Sequence, residues 1–363
     1  MSTVLILLLM AYTLIEPQVS INGATAGLLL WFNKVLPTLL PFIILSQLLF
    51  KLGLIFKLEQ YIGKFSNAVF GVSGSSLITF VLGSIGGSPT GAKLTNQLLQ
   101  QPNISTLEAQ KTLCFSNNTG PLFIIGTVGT LMLQDVRLGY FLVIVHILSA
   151  LIILVLSRFY STYSPVTVNS SNKEYSQSPA FVTAFTDSVQ GGMDTIVYVG
   201  GFIIFFSMLI SIIKNLALFN ALVASLSNML GMDTIILESL LLGSMEFSNG
   251  SAYITQFYTG DAYILAILSA ILGFGGFCVF FQTAHILSST KLSLGVYLIA
   301  KTVQAVFAAL LTIAFFPTYN AIISKSFIAF DIPAVIAIAI LFAITALGLK
   351  ATSSKLYGVT ERS

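Results

Sequence analysis

An all-α polytopic membrane protein, built as two halves that each contain broken or re-entrant helices, is the fold class this sequence predicts. Three observations predict it. Of 363 residues 56% are hydrophobic and 8% charged, whereas an ordinary soluble domain is about 25% charged. Sixteen Lys and Arg with thirteen Asp and Glu cannot furnish a water-facing shell for a body of this size. The apolar runs, such as 141–156, 297–316 and 332–349, are continuous, as membrane helices require, and do not alternate as barrel strands do. Polar, glycine-bearing interruptions also fall inside apolar runs in both halves. Together these exclude a soluble enzyme, a nucleic-acid binder and a disordered chain. The net charge of +3, spread over many loops, argues against a dedicated anionic partner such as nucleic acid. Cys114 and Cys278 show no pairing or metal spacing, so no disulfide framework, metal or other cofactor is expected.

Residues 1–20 hold a short apolar helix, Val4 to Ile15. It has no basic segment before it and no cleavage signal after it, so it reads as a retained helix rather than a signal peptide. The first half, 21–160, opens on the run Ala24 to Phe50. Pro37 and Pro41 each remove a helical hydrogen bond there, which predicts a kinked or broken helix. Residues 51–67 set Lys51, Lys57, Glu59 and Lys64 among apolar residues at helical spacing, the pattern of a helix lying in the interface. From Gly71 to Leu99 an apolar stretch meets the glycine-rich 83–91 and then Thr95, Asn96 and Gln97. About ten apolar residues are too few to cross a core of ~30 Å, so a re-entrant hairpin follows. The run 107–133 is interrupted at 115–121, and 140–156 is a clean span.

Residues 161–179 form a polar, Ser/Pro-rich linker. The second half, 180–320, restates the scheme: an amphipathic stretch 180–195 with Asp187 and Asp194, spans at 197–213 and 216–230, a run 235–255 interrupted at 246–250, a run 262–288 interrupted at 273–276, and an uninterrupted span. Residues 321–363 add a last span and a tail with Lys350, Lys355 and Arg362, which the positive-inside rule puts in the cytoplasm. Each half thus has two breaks, near Gly87 and Asn117 and near Asn249 and Gly275. Interrupted segments in corresponding positions of two halves are the sequence sign of a transporter site at mid-membrane. The closest local echoes, Leu82-Gly83 with Leu272-Gly273 and Phe115-Ser116-Asn117 with Phe247-Ser248-Asn249, run in opposite order. The inverted repeat expected here therefore rests on the spacing of the breaks and not on matching letters.

A half-helix that ends inside a membrane exposes free N–H or C=O groups and about half a unit of charge, which are useful only where they line a polar cavity. Gly83 to Lys93 supplies Gly87 for a tight reversal, the Ser88 and Thr90 hydroxyls, Pro89 for the first turn of the next half-helix, and N–H donors with the Lys93 ammonium for an anion. The alternative is that Gly83, Gly87 and Gly91 form a close-packing ridge. Asn117, Asn118 and Thr119 precede Gly120-Pro121; amides in mid-span are costly unless bonded, and a surface loop is the other reading. Glu246, followed by Ser248 and Asn249, is a proton, cation or substrate site, or pairs with a lysine such as Lys93. Gln282 and Thr283 place donors and acceptors behind Gly275 and Gly276, and of these Gly275, Gly276 and Gln282 complete the candidate solute-binding set. His285 reads as a hydrogen-bonded packing residue, His146 has a weaker functional claim, and the cysteines have none. Lys93 and Glu246 are the two charges that this reading finds inside broken apolar runs.

Several of these segments resemble one known family. Leu30 to Phe42 (LWFNKVLPTLLPF) resembles the opening of the nucleoside-recognition (Gate) domain membrane proteins, Gly87 to Lys93 (GSPTGAK) and Asn117 to Gly129 (NNTGPLFIIGTVG) resemble two of their central elements, and Glu246 to Gly250 (EFSNG) and Gly273 to Gln282 (GFGGFCVFFQ) two later ones. The order is kept, and within that family the combination is similar to the sporulation integral membrane protein YlbJ (SpoVV) group. Ser88 stands where the family usually has Tyr, and Phe247-Ser248 where it has Ile-Thr. The resemblance implies a distant likeness to concentrative nucleoside transporters and a membrane protein of endospore formers. It also implies movement of dipicolinic acid from the mother cell toward the forespore, in the mother-cell or outer forespore membrane.

The leading functional expectation is a transporter whose breaks meet at the midplane, with the lipid bilayer, a small anionic solute and either H+ or Na+ as its partners. A dicarboxylate suits helix N-termini, hydroxyls, amides and Lys93 better than a neutral nucleoside does, and a nucleoside-like or nucleobase-like solute is the alternative. A homo-oligomer is compatible with both. An intramembrane enzyme is disfavoured, because no HExxH pair, nucleophile elbow or close acidic dyad occurs. A structural membrane protein of sporulation would tolerate alanine at Lys93, Asn117 or Glu246.

Overall fold

The computed structural model describes residues 2–100, 104–160 and 180–325; the expected linker 161–179, the last span and the basic tail lie outside them. The chain falls into two compact units, 1–316 and 317–363, and the fold set out below is that of the first. Of the second, residues 317–325 are described and are helical.

Every regular element among the described residues is helical, and five helices are long and apolar enough to cross a membrane. After α1 (Ser2–Ile15), α2 (Pro17–Leu30), a π-helical turn (Trp31–Val35) and α3 (Leu36–Lys51) make one 35-residue span. Of the kink or break expected at Pro37 and Pro41, the break does not occur, and both prolines lie within one continuous helical span. Proline lacks an N–H and crowds the carbonyl four residues back, and the turn before Pro37 widens so that the Leu36 N–H bonds to the Trp31 carbonyl, which keeps the ladder continuous. Next, α4 (Leu54–Phe70) meets α5 (Gly74–Gly86) at a bend of 91°. Its exposed Leu58, Tyr61, Phe65 and Val69 fit the interfacial helix expected there. Then α6 (Thr90–Gln100) folds back on α5, α7 (Thr106–Ser116) stops at Asn117, a π-helical segment (Phe123–Met132) resumes the path, and α8 (Val136–Tyr160) spans.

The second half repeats this order. The helix α9 (Phe181–Asn215) is a single 35-residue span, so the amphipathic stretch and the span expected after it are continuous. No proline falls inside it, and its small residues seat it along the first span: a Cβ on Gly27 would stand 2.7 Å from the Ser207 side chain. The helix α10 (Ala217–Leu230), expected as a short span, turns 119° into α11 (Thr234–Met245) and is the counterpart of α4. Then α12 (Phe247–Ile254) folds back on α11, and α13 (Ala262–Phe274) and α14 (Gly276–Ile286) share a 25-residue span interrupted at Gly275. The long α15 (Leu294–Lys325) follows.

Span, bent pair, hairpin, interrupted helix and span thus occur twice, as the spacing of the breaks predicts. The letter echoes join unlike elements, since Gly83 to Gly87 ends in a hairpin tip while Gly273 to Gly276 is a break in a span. Leu94 and Leu98 of the first hairpin pack with Leu113 and Tyr297, and Phe80 meets Phe115 edge-on at 6.0 Å, which lodges that hairpin in the interior beside α7 and α15.

Candidate functional site

Both hairpins close on glycine pairs. A Cβ on Gly83 would stand 2.8 Å from the Gly91 Cα and would overlap the Ser116 carbonyl, and Gly250 lies as directly on Gly243. Only residues without a side chain allow arms to approach this closely. Each hairpin also abuts the break of its own half. A Cβ on Gly87 would come within 3.2 Å of the Gly120 nitrogen, and one on Gly276 within 3.0 Å of the Gly243 carbonyl oxygen and 3.2 Å of the Phe247 nitrogen. Gly87 has φ +74°, a conformation costly to any residue with a Cβ. Both readings of the three glycines therefore hold at different residues: Gly83 and Gly91 pack, and Gly87 turns.

At the first break α7 ends inside the body, and its free end is taken up by side chains. The Asn117 amide donates to Thr283 Oγ1 at 3.0 Å and to the Tyr297 hydroxyl at 2.8 Å. The Asn118 amide donates to Ser84 Oγ at 3.0 Å and to the Phe115 carbonyl at 2.7 Å. Ser88 Oγ donates to the Asn118 carbonyl at 3.1 Å, Thr119 Oγ1 to the Leu272 carbonyl at 3.1 Å, and the Thr119 N–H to His146 Nε2 at 3.1 Å. Lys301 of α15, only 3% exposed, donates to the Asn117 carbonyl at 3.1 Å and to Gln304 Oε1 at 2.6 Å, and reaches Asn118 Oδ1 at 3.5 Å. Gln304 Nε2 donates to the same Asn118 oxygen at 3.0 Å. A cation thus sits at the negative end of a half-helix, where the helix dipole favours it.

The tip of the second hairpin is built with the opposite charge. Glu246, fully buried and extended at φ −147°, accepts from the Ser248 N–H at 3.0 Å, the Asn249 N–H at 2.8 Å and the Asn249 amide at 2.7 Å. Its carboxylate therefore caps α12 and meets the positive end of that short helix. The Asn249 amide also reaches Ser207 Oγ of α9 at 2.8 Å. The pairing of Glu246 with Lys93 is absent, because the Lys93 ammonium donates instead to the Gly191 carbonyl at 3.1 Å and Thr195 Oγ1 at 2.8 Å on α9.

The two clusters are joined by the Asn117–Thr283 and Thr119–Leu272 bonds and by Phe123 edge-on to Phe247, with centroids 5.3 Å apart. Gly87, Ser88, Asn117, Asn118 and Thr119 gather in the first cluster, and Glu246, Ser248, Asn249 and Gly276 in the second. Gly275, at φ +81°, makes the break in the span. Three candidates stand apart: Thr90 bonds back to the Gly86 carbonyl, Gln282 to Cys278 of its own helix, and Lys93 to α9. The surface-loop reading of 117–119 fails, since Asn117 and Asn118 are fully buried. His285 stacks on Tyr198 at 4.3 Å, a packing role.

Sequence reasoning missed Lys301, Gln304 and Tyr297, and gave His146 only a weak claim. The run 297–316 reads as uninterrupted on average hydropathy, and a lysine within it was the available signal. It also missed buried Glu108, which accepts from the Ser73 N–H at 2.7 Å and Ser76 Oγ at 2.8 Å and so secures the start of α5. Among the described residues, Asn117 Oδ1, Thr127 Oγ1, His146 Nδ1 and Ser248 Oγ are buried without a hydrogen bond of good geometry.

The chain is 31% identical over 337 residues to the sporulation integral membrane protein YlbJ of Bacillus subtilis (strain 168), a match that covers 87% of this chain and 82% of that protein. No protein-family model matches the chain. No solved structure matches it.

Proposed function

The chain belongs to the YlbJ family of sporulation integral membrane proteins, and from that premise we propose that this multi-pass membrane protein is a transporter of a small anionic solute, dipicolinic acid, moved from the mother cell toward the forespore. The observation that carries this reading is the charge balance at the breaks. Glu246 is the carboxylate there, and the first turn of α12 holds it. Neither Lys93 nor Lys301 has a carboxylate within ion-pair distance among the described residues. Ionisable groups inside a membrane body mark solute or ion paths, and an interior with two such cations favours an anion over a neutral nucleoside. Lys93, in the first turn of the second arm of a hairpin, adds its ammonium to the positive end of that arm.

Two hairpins set against two interrupted helices also give the fold a moving part. One such pair can shift against the spans around it while the solute stays between them, which is alternating access. Uptake of labelled dipicolinate into vesicles containing the protein tests the reading. Saturable uptake, with KM raised about tenfold or more in Lys93→Ala through loss of a charged contact, is the expected result. No uptake of dipicolinate, of other small anions or of nucleosides overturns it.

A further inference from the structure

Lys301 is not explained by solute binding alone. Its ammonium is buried, and its partners are three oxygens from neutral groups: the Asn117 carbonyl at the C-terminal end of α7, the Asn118 side chain and the Gln304 side chain. In broken-helix transporters, unwound backbone carbonyls and half-helix C-terminal ends are the groups that coordinate a coupling cation. The oxygens at this break are of that kind, and a cation tethered to α15 already meets them. Gln304, one turn on from Lys301, bonds both the ammonium and Asn118 Oδ1, so the oxygens are held in place around the charge. Among the described residues no carboxylate neutralises it; the titratable side chains nearby are Cys114, His146 and Tyr297.

We propose that the Lys301 ammonium is a built-in cation that occupies the oxygen-lined break between the first hairpin, α7 and α15, so that the protein neither binds nor requires Na+ there. A free monovalent cation entering the same oxygens would sit about 4 Å from a unit positive charge. At an effective dielectric constant of about 20 that repulsion weakens binding on the order of a thousandfold. The ammonium instead completes the first cluster, and Lys301 acts as a positioning residue for Asn117 and Asn118.

The proposal rests on the transporter reading only for its transport arm. Two measurements test it. Dipicolinate uptake by wild-type protein is compared in sodium chloride and in choline chloride of equal ionic strength, and the melting temperature of the purified protein is followed in the same two salts. Uptake equal within twofold, with no Na+-specific rise in melting temperature, is expected. Lys301→Ala, or Lys301→Ser if the alanine variant does not fold, is expected to gain a Na+-specific upward shift, a readout that mere loss of packing does not produce. A tenfold loss of wild-type uptake without Na+ overturns the proposal. So does a Na+-specific rise in wild-type melting temperature, or a folded variant indifferent to Na+. If no solute is taken up in either salt, the transporter reading fails while the melting comparison still decides the cation assignment.

Discussion

The two halves of this protein solve one mechanical problem identically and one electrostatic problem oppositely. Each drives a hairpin against an interrupted helix, and each closes the hairpin with two glycines, Gly83 on Gly91 and Gly243 on Gly250. At the first break the exposed helix end is a C-terminus, and Lys301 supplies positive charge to its carbonyls. In the second half the capped end is at the hairpin tip, the N-terminus of α12, and Glu246 supplies negative charge to its N–H groups. The comparison separates what a broken helix needs in order to pack from what it needs in order to be neutral. Packing demands the absence of side chains, and neutrality demands one specific side chain of the right sign.

The largest effects should come from the shared mechanics. Gly91→Ala and Gly250→Ala each place a Cβ against backbone that has no room to receive it. Overpacking of this kind typically costs about 1–3 kcal/mol and more where backbone must move. Both variants are expected to lose most of their monodisperse folded protein, read by size exclusion and thermal melting. Gly201→Ala, where nothing lies within 4 Å, should melt at or slightly above wild type, since alanine is better in a helix by about 0.5–1 kcal/mol. If one hairpin glycine tolerates alanine and its counterpart does not, the two hairpins are not mechanically equivalent.

The charges come next, and here the halves should part. Lys301→Ala strips its donor from the Asn117 carbonyl and from Gln304 Oε1 and opens a cavity besides, a loss of about 2–5 kcal/mol by analogy with truncation of long buried side chains. Glu246→Gln keeps the volume but turns an amide NH2 toward N–H donors, and leaving one buried donor unpaired costs about 1–3 kcal/mol. Chemical denaturation of the two variants side by side checks the order. Glu246→Gln more damaging than Lys301→Ala would mean that α12 depends on its cap more than the first break depends on its cation.

How much of this was legible in the sequence follows from what each feature leaves in the letters. Hairpins and breaks were legible, because glycine, proline and adjacent amides inside an apolar run have no cheap place in an unbroken membrane helix; helices end at Gly87, Asn117 and Glu246, within or beside the stretches expected to be interrupted. The repeat was legible in spacing and misleading in letters, because hairpin tips and helix breaks use the same glycine-rich vocabulary. Lys301 was visible but averaged away by its apolar neighbours. Its partners lie far along the chain, Asn117 at a separation of 184 residues, and no local pattern encodes such a contact. The continuity of α9 and the π turn at Trp31–Val35 were hidden for another reason: tertiary packing decided whether an amphipathic stretch or a proline would end a helix.

The smallest expected effect on stability is the sharpest test of which half faces solute. Ser88 and Ser248 stand at the tips of the two hairpins, and their surroundings differ. Ser88 Oγ donates to the Asn118 carbonyl, so Ser88→Ala removes a hydrogen bond worth about 1 kcal/mol. Ser248 Oγ is fully buried beside the Glu246 carboxylate and makes no hydrogen bond of good geometry among the described residues. Ser248→Ala removes only that weak contact with Glu246 and should melt closer to wild type than Ser88→Ala, within about 0.5 kcal/mol. A buried hydroxyl that the fold leaves without a good hydrogen bond still bears a desolvation cost, and a bound solute can recover it. Uptake kinetics should therefore reverse the order seen in melting, with KM raised more by Ser248→Ala than by Ser88→Ala. Equal KM values would assign the Ser248 hydroxyl to packing alone and leave Lys93 and the first hairpin as the proposed solute contacts.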